Sequence, residues 1–370
     1  MPFTSEAMVH RGILRIKPYT PGTTIQEAVQ AKGELDFIKI ASNENPFGMS
    51  PKAAHAIRKE LKNAHQYPEK TGVNLRESLA ARLDIAASSL VIGNGADGVI
   101  YALLMCLIDE GDQVIIPEMT FSMYETVVHG MRGEVVYSRM NGYEIDLEDI
   151  LARITDRTKL IIVCNPNNPT GSMLEGERLF AFFDAVPRRV LILHDEAYYD
   201  FADGRHFPDV LALLRAGIDN VFVLRTFSKL YGLAGVRVGY GVGTQHLIEY
   251  MHRIRPPFDV SVLAQAAGCA ALEDTDFAQR TLTLTNREKH YIYRSLDALN
   301  LSYVESQTNF VLLDAGMDCR IVYEALLNRG IIVRASLHKN LPTHIRITVG
   351  KREHNRRFIT ALREVLREAK

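Results

Sequence analysis

Six apolar runs recur between residues 89 and 224, separated by helix-like stretches. They are Ser89-Leu-Val-Ile-Gly93, Gln113-Val-Ile-Ile116, Glu134-Val-Val-Tyr137, Lys159-Leu-Ile-Ile-Val-Cys164, Arg189-Val-Leu-Ile-Leu193 and Asn220-Val-Phe-Val-Leu224. Near-continuous apolar runs, rather than alternating ones, mark strands buried on both faces. With helices between them, the strands predict an α/β fold: a mostly parallel central sheet in a three-layer α/β/α arrangement. The spacing predicts helices over about 51–62, 74–83, 97–108, 121–129 and 175–185.

The character changes after residue 255, where Pro256-Pro257 punctuates the chain. Helical patterns at about 261–272, 276–299 and 320–328 alternate with short strands, Asn309–Leu313, Gly330–Arg334 and His344–Val349. The expected organisation is an N-terminal arm (1–48) packing with a smaller α+β domain (256–370), and a large domain (49–255) between them. A chain of 370 residues suits two domains.

A net charge of −1 gives no basic surplus for nucleic acid or an anionic membrane surface. No run approaches the roughly 20 apolar residues of a membrane span. The four cysteines (Cys106, Cys164, Cys269 and Cys319) form no CxxC, so no zinc cluster or disulfide framework is expected. A reducing, cytoplasmic setting and no signal peptide are expected. His194 and His338 read as structural or surface groups, and no metal is expected.

Ligands of open α/β sheets bind beyond the carboxyl ends of the strands. Four polar motifs stand at such ends. Lys229, in Thr226-Phe-Ser-Lys-Leu-Tyr-Gly232, is either a snorkelling surface lysine or a desolvated amine able to attack a carbonyl. Gly93-Asn-Gly-Ala-Asp97 is either a plain turn or a helix N-terminus cradling an anion. It has neither the lysine of a P-loop nor a GxGxxG spacing. Asn165-Pro-Asn-Asn-Pro-Thr-Gly171 reads as turn chemistry. Asp195-Glu-Ala-Tyr198 places a carboxylate straight after an apolar strand, as a solvated acid or as the partner of a heterocyclic nitrogen. An amine nucleophile, a buried acid and a phosphate cradle together are what pyridoxal 5'-phosphate requires.

In these motifs, and in Pro18-Tyr-Thr-Pro-Gly22, Ser42-Asn-Glu-Asn-Pro46, Tyr67-Pro-Glu69, Thr120-Phe-Ser-Met-Tyr124, Pro257–Ser261 and Ile345–Gly350, the chain resembles the fold-type I pyridoxal-phosphate aminotransferases over nearly its whole length. Within them it is most similar to the members acting on histidinol phosphate. The resemblance implies that Lys229 carries the cofactor and moves the proton, that Asp195 faces the pyridine nitrogen, and that Asn168 and Tyr198 bond the phenolic oxygen. Phe121 would stack on the ring, where relatives often have tyrosine. Backbone at Gly95, Ala96 and Asp97, with Thr226, Ser228 and Arg237, would grip the phosphate. Tyr67 would reach that phosphate from a second subunit, making the active unit a homodimer. Tyr19, Asn45, Arg334 and Arg346 would bind substrate. Gly98 stands where relatives often carry an acid.

The implied reaction moves an amino group between glutamate and imidazole-acetol phosphate in a ping-pong cycle. An aromatic amino-acid aminotransferase and a threonine-phosphate-type decarboxylase remain alternatives on the same scaffold.

Overall fold

The computed structural model describes residues 8–18, 22–336 and 338–369. Seven strands form the large sheet: β1 (Leu90–Asn94), β2 (Gln113–Pro117), β3 (Glu134–Ser138), β4 (Thr158–Cys164), β5 (Leu191–Asp195), β6 (Val221–Thr226) and β7 (Val238–Val242). Their order is β1-β7-β6-β5-β4-β2-β3. β3, β2, β4, β5 and β6 run parallel, and β7 is antiparallel to both of its neighbours.

This order sets one functional edge. β1, β4, β5 and β6 all end there, and the antiparallel β7 begins there. In register, Cys164 lies beside Asp195 and Asp195 beside Leu224. The residues that follow β4, β5 and β6, and Arg237 just before β7, are therefore delivered to the same place.

The central strands are buried on both faces because their side chains alternate between two cores. Ile161, Val163, Val221 and Val223 enter one. Leu160, Ile162, Phe222 and Leu224 enter the other. Burying each such side chain contributes roughly 1.5–3 kcal/mol before the entropy of ordering is counted.

A smaller antiparallel sheet contains β8 (Phe310–Asp314), β9 (Arg334–Ala335) and β10 (His344–Thr348) in the order β8-β10-β9. Helices Thr275–Asp297 and Arg352–Glu368 bury Ile292, Leu296, Phe358, Leu362 and Val365 in the core beneath it. The N-terminal strand Ile38–Lys39 pairs in parallel with Ile331–Ile332. The Thr348 amide then donates to the Ile40 carbonyl at 2.8 Å.

Helix starts follow local chemistry. Ser50 accepts from the Ala53 amide ahead of Pro51, and Ser261 accepts from the Ala264 amide. Helices Ile25–Lys32, Leu147–Ala152, Leu211–Arg215 and Gln245–Ile254 lie outside the expected elements, as does β7. Gly239 and Gly241 interrupt the apolar pattern of β7, which conceals the strand. Both glycines are required by packing. A Cβ at Gly239 would lie 2.6 Å from the Ala96 amide nitrogen, and one at Gly241 2.2 Å from the Phe222 ring.

Candidate active site

The functional edge opens into a cavity of about 510 Å³ that reaches the small sheet. Asp195 lies at its floor, at the last position of β5. Its Oδ1 accepts from the Ala197 amide at 2.9 Å and its Oδ2 from the Tyr124 hydroxyl at 2.6 Å. Burial raises its pKa to about 6, against the opposing pull of those two donors. Tyr124 is itself fully buried and meets Phe121 edge-on at 5.5 Å.

Lys229 follows β6 and is partly buried, its ammonium 5.5 Å from the centre of the Tyr198 ring. Burial, and then the Arg346 guanidinium, lower its pKa to about 8. At pH 7 roughly a tenth of the amine is then neutral, far more than for a free lysine. The Tyr198 hydroxyl accepts from Asn43 Nδ2 at 2.8 Å, and its ring meets Phe310 edge-on at 5.2 Å.

On the β1–β7 side, helix Gly95–Leu107 begins at the edge with Ala96 and Asp97 in the cavity wall. Gly95 has φ +69°, and a Cβ there would come within 2.3 Å of Arg237 Nη2. Only glycine accepts both that dihedral and that contact. Arg237 donates to Asp97 Oδ2 at 3.0 Å, and the Thr226 hydroxyl donates to Ser228 Oγ at 3.0 Å. First-turn amides, two hydroxyls and a guanidinium make an anion cradle.

The opposite wall comes from the small sheet. Arg334 and Arg346 are cross-strand partners on β9 and β10, and both line the cavity. Arg346 donates to the Asn168 side-chain oxygen and, at 3.0 Å, to the Ala41 carbonyl.

Twelve of the residues expected from the sequence thus line one cavity: Ala96, Asp97, Phe121, Asn168, Asp195, Tyr198, Thr226, Ser228, Lys229, Arg237, Arg334 and Arg346. Gly95, at the start of the cradle helix, Asn45 and Tyr67 do not line it. Asn45, expected at the substrate, instead donates to the Leu230 carbonyl at 2.7 Å and accepts from the Phe47 amide at 2.9 Å, which ties its loop to the lysine loop. Its neighbour Asn43 takes the place in the wall. Tyr67 is 83% exposed and stacks on Phe258 at 4.6 Å. Tyr19 lies outside the described residues.

Sequence reasoning assigned no role to Asn43, Tyr124 or His338. His338, read as a surface or structural group, is in the wall, with Nε2 2.5 Å from the Glu118 carbonyl oxygen. Tyr124 stands three residues after Phe121, a spacing that puts both on one helical side, and this was the available signal. Nothing local distinguishes Asn43 from Asn45 except the positive φ of Asn43, +57°, which is a tertiary fact.

A family model described as aminotransferase class I and II matches residues 36–362. The chain is 41% identical over 365 residues to histidinol-phosphate aminotransferase of Moorella thermoacetica, covering 99% of this chain and 95% of that one. It is 41% identical over 360 residues to the protein of the same name from Symbiobacterium thermophilum, covering 97% and 99%. Among solved structures, histidinol-phosphate aminotransferase from Sinorhizobium meliloti in complex with pyridoxal-5'-phosphate superposes with a TM-score of 0.90 at 29% identity, over 96% of this chain and 98% of that one.

Proposed function

The chain belongs to the class I and II aminotransferases, which use pyridoxal 5'-phosphate, and on that premise we propose that it exchanges an amino group between glutamate and imidazole-acetol phosphate, yielding histidinol phosphate. The observation that carries the substrate assignment is the cross-strand pair Arg334 and Arg346, opening onto the cavity that holds Lys229 and Asp195. Two planar cations side by side suit two anions: the carboxylates of glutamate in one half-reaction and a phosphate in the other. The relatives of about 40% identity support the same reading.

The residues present fit the cofactor. The Gly95 position leaves room for Arg237 and for an anion at the helix start, where a Cβ would collide. The buried Asp195 carboxylate has two neutral donors in the protein and suits a cationic ring N–H. In this reading Lys229 would hold the cofactor covalently, Phe121 would lie against its ring, and Asn168 and Tyr198 would bond its phenolic oxygen. Gly95, Ala96, Asp97, Thr226, Ser228 and Arg237 would hold its phosphate. Bound there, pyridoxal 5'-phosphate supplies an electron sink for the charge left when a proton leaves the substrate carbon.

The protein's own contributions follow from the geometry. Arg346 and Arg334 orient the substrate anions. Lys229 Nζ, whose pKa is lowered by burial and by Arg346, takes the α-proton and returns it to the neighbouring carbon. Asn43 holds the Tyr198 hydroxyl in place, and Tyr124 with the Ala197 amide keeps the Asp195 carboxylate aligned and ionised.

The exposed Tyr67 fits a role at the cradle of a second copy of the chain, which supports a homodimer with shared sites as the active unit. All four cysteines are free, which supports a cytoplasmic setting. The deciding measurement is kcat/KM with 2-oxoglutarate as amine acceptor, for histidinol phosphate against phenylalanine as donor. A clear preference for histidinol phosphate is expected. Preference for phenylalanine moves the assignment to aromatic amino acids.

A further inference from the structure

A second cleft, of about 640 Å³, lies away from the active cavity. One wall is the loop Phe201–Arg205, shortly after Tyr198. The other is helix Thr275–Asp297 at Asn286–Tyr293, with residues Glu305–Gln307 between them. Lys289 is 6% exposed, and its ammonium donates to the Ser306 carbonyl at 2.9 Å. Burial lowers its pKa to about 8, with no other group contributing.

A buried ammonium is ordinarily matched by a carboxylate. Here the nearby carboxylates are engaged or in solvent. Glu288 is held by Arg352 at 2.8 and 3.1 Å and by Asn355 at 3.1 Å. Asp203, on the facing wall, is gripped by Arg205 at 2.6 and 3.0 Å. Glu305 is exposed. A lysine has three donors, and one carbonyl satisfies one of them.

We propose that this cleft is a binding site for a small oxyanion, carboxylate or phosphate, seated on Lys289 between the loop and the helix. Phe201 and Tyr293 give it partly aromatic walls, suited to an anion carried on a small organic body. A chain of hydrogen bonds runs from this site to the active cavity. The Gln307 side chain accepts from the Asp203 amide and the Gln307 amide donates to the Gly171 carbonyl, both at 2.8 Å. Two residues on, Asn309 donates to the Asn43 carbonyl at 3.0 Å, and Asn43 orients Tyr198. An anion that draws Lys289 and the loop together acts on the segment that positions the Tyr198 hydroxyl.

The test uses the full-length enzyme loaded with its cofactor. Crystals soaked in selenate are expected to show an anomalous peak within hydrogen-bond distance of Lys289 Nζ. Thermal unfolding is then followed against inorganic phosphate and, separately, acetate, for wild type, Lys289→Met and Lys289→Arg. Anions bound by the active-site arginines stabilise all three alike, so the difference between variants reports the cleft. Wild type and Lys289→Arg are expected to gain more in Tm than Lys289→Met. Apparent affinity at the cleft should fall about ten-fold or more in Lys289→Met. Phosphate acting alone identifies a phosphate ester as occupant, whereas acetate acting as well identifies a carboxylate. Selenate found at the active-site arginines but not at Lys289, or identical titrations for wild type and Lys289→Met, overturns the proposal. If Lys289→Met does not fold, the wild-type soak decides by itself.

Discussion

The Tyr124 hydroxyl donates to Asp195 Oδ2 at 2.6 Å from a ring with no exposed surface. A buried carboxylate is thereby held in one orientation, yet its pKa still rises from 3.8 to about 6 because desolvation outweighs the hydrogen bonds.

The sign of the resulting pH effect is fixed. Between pH 3.8 and 6 the folded protein holds a proton on Asp195 that the unfolded chain has released, so stability falls as pH rises through that window. Above it the cofactor-free protein carries a cost on the order of 2–3 kcal/mol. Asp195→Asn should raise the Tm of the cofactor-free protein at pH 8 while weakening cofactor binding and nearly abolishing turnover. Tyr124→Phe should lift the Asp195 pKa further and move the acid limb of kcat/KM to higher pH. A Tm at pH 8 that is unchanged or lower in Asp195→Asn counts against this account.

Gly95→Ala should damage the cradle selectively. The φ of +69° and the 2.3 Å approach of Arg237 Nη2 both penalise a Cβ. A stability loss of roughly 1–2 kcal/mol is expected from the backbone alone. Cofactor affinity, read by absorbance titration, should drop further than Tm implies, because Arg237 must move. Wild-type affinity in Gly95→Ala would show that this approach is not needed for binding.

Subunit sharing can be read by complementation. Lys229→Ala and Tyr67→Ala homodimers should each be impaired, the first with no visible cofactor absorbance. If Tyr67 serves the opposite subunit, random re-pairing of equal amounts restores one intact site in each hybrid, about a quarter of wild-type activity. If Tyr67 serves its own chain, mixing restores nothing.

The two arginines should separate kinetically. Arg346 spans the Asn168 side chain and the Ala41 carbonyl, a fork that lysine cannot reproduce. Arg346→Lys should lower kcat/KM in both half-reactions by roughly 10–100-fold. Arg334→Lys should act mainly through KM, with different factors for glutamate and histidinol phosphate. Equal effects on both substrates would argue against a distal anion contact at Arg334.

Much of the molecule could be read from the chain. Apolar runs ending in Cys164, Leu193 and Leu224 announced the central strands, because a strand buried on both faces is filled mostly by apolar residues. Lys229, Asp195 and the Gly93–Asp97 turn stood out because chemistry-bearing residues at strand ends are a local pattern. β7 was not legible: its glycines look like loop residues, and their need arises from Ala96 and Phe222, more than 100 and about 20 residues distant. The engagement of Asn45 by Leu230, and of His338 by Glu118, is equally nonlocal.

Periodicity and residue chemistry by themselves determined a doubly covered, mostly parallel sheet and the kinds of group available at its edge. Folding decided which of those groups meet. The antiparallel insertion of β7 brings Arg237 back to the edge where β1 ends, and the pairing of β9 with β10 sets Arg334 beside Arg346. The reason is one of range. Strand and helix preferences act over a few residues, whereas a site depends on contacts between segments as far apart as Ala41 and Arg346, which exist only once the cores have packed.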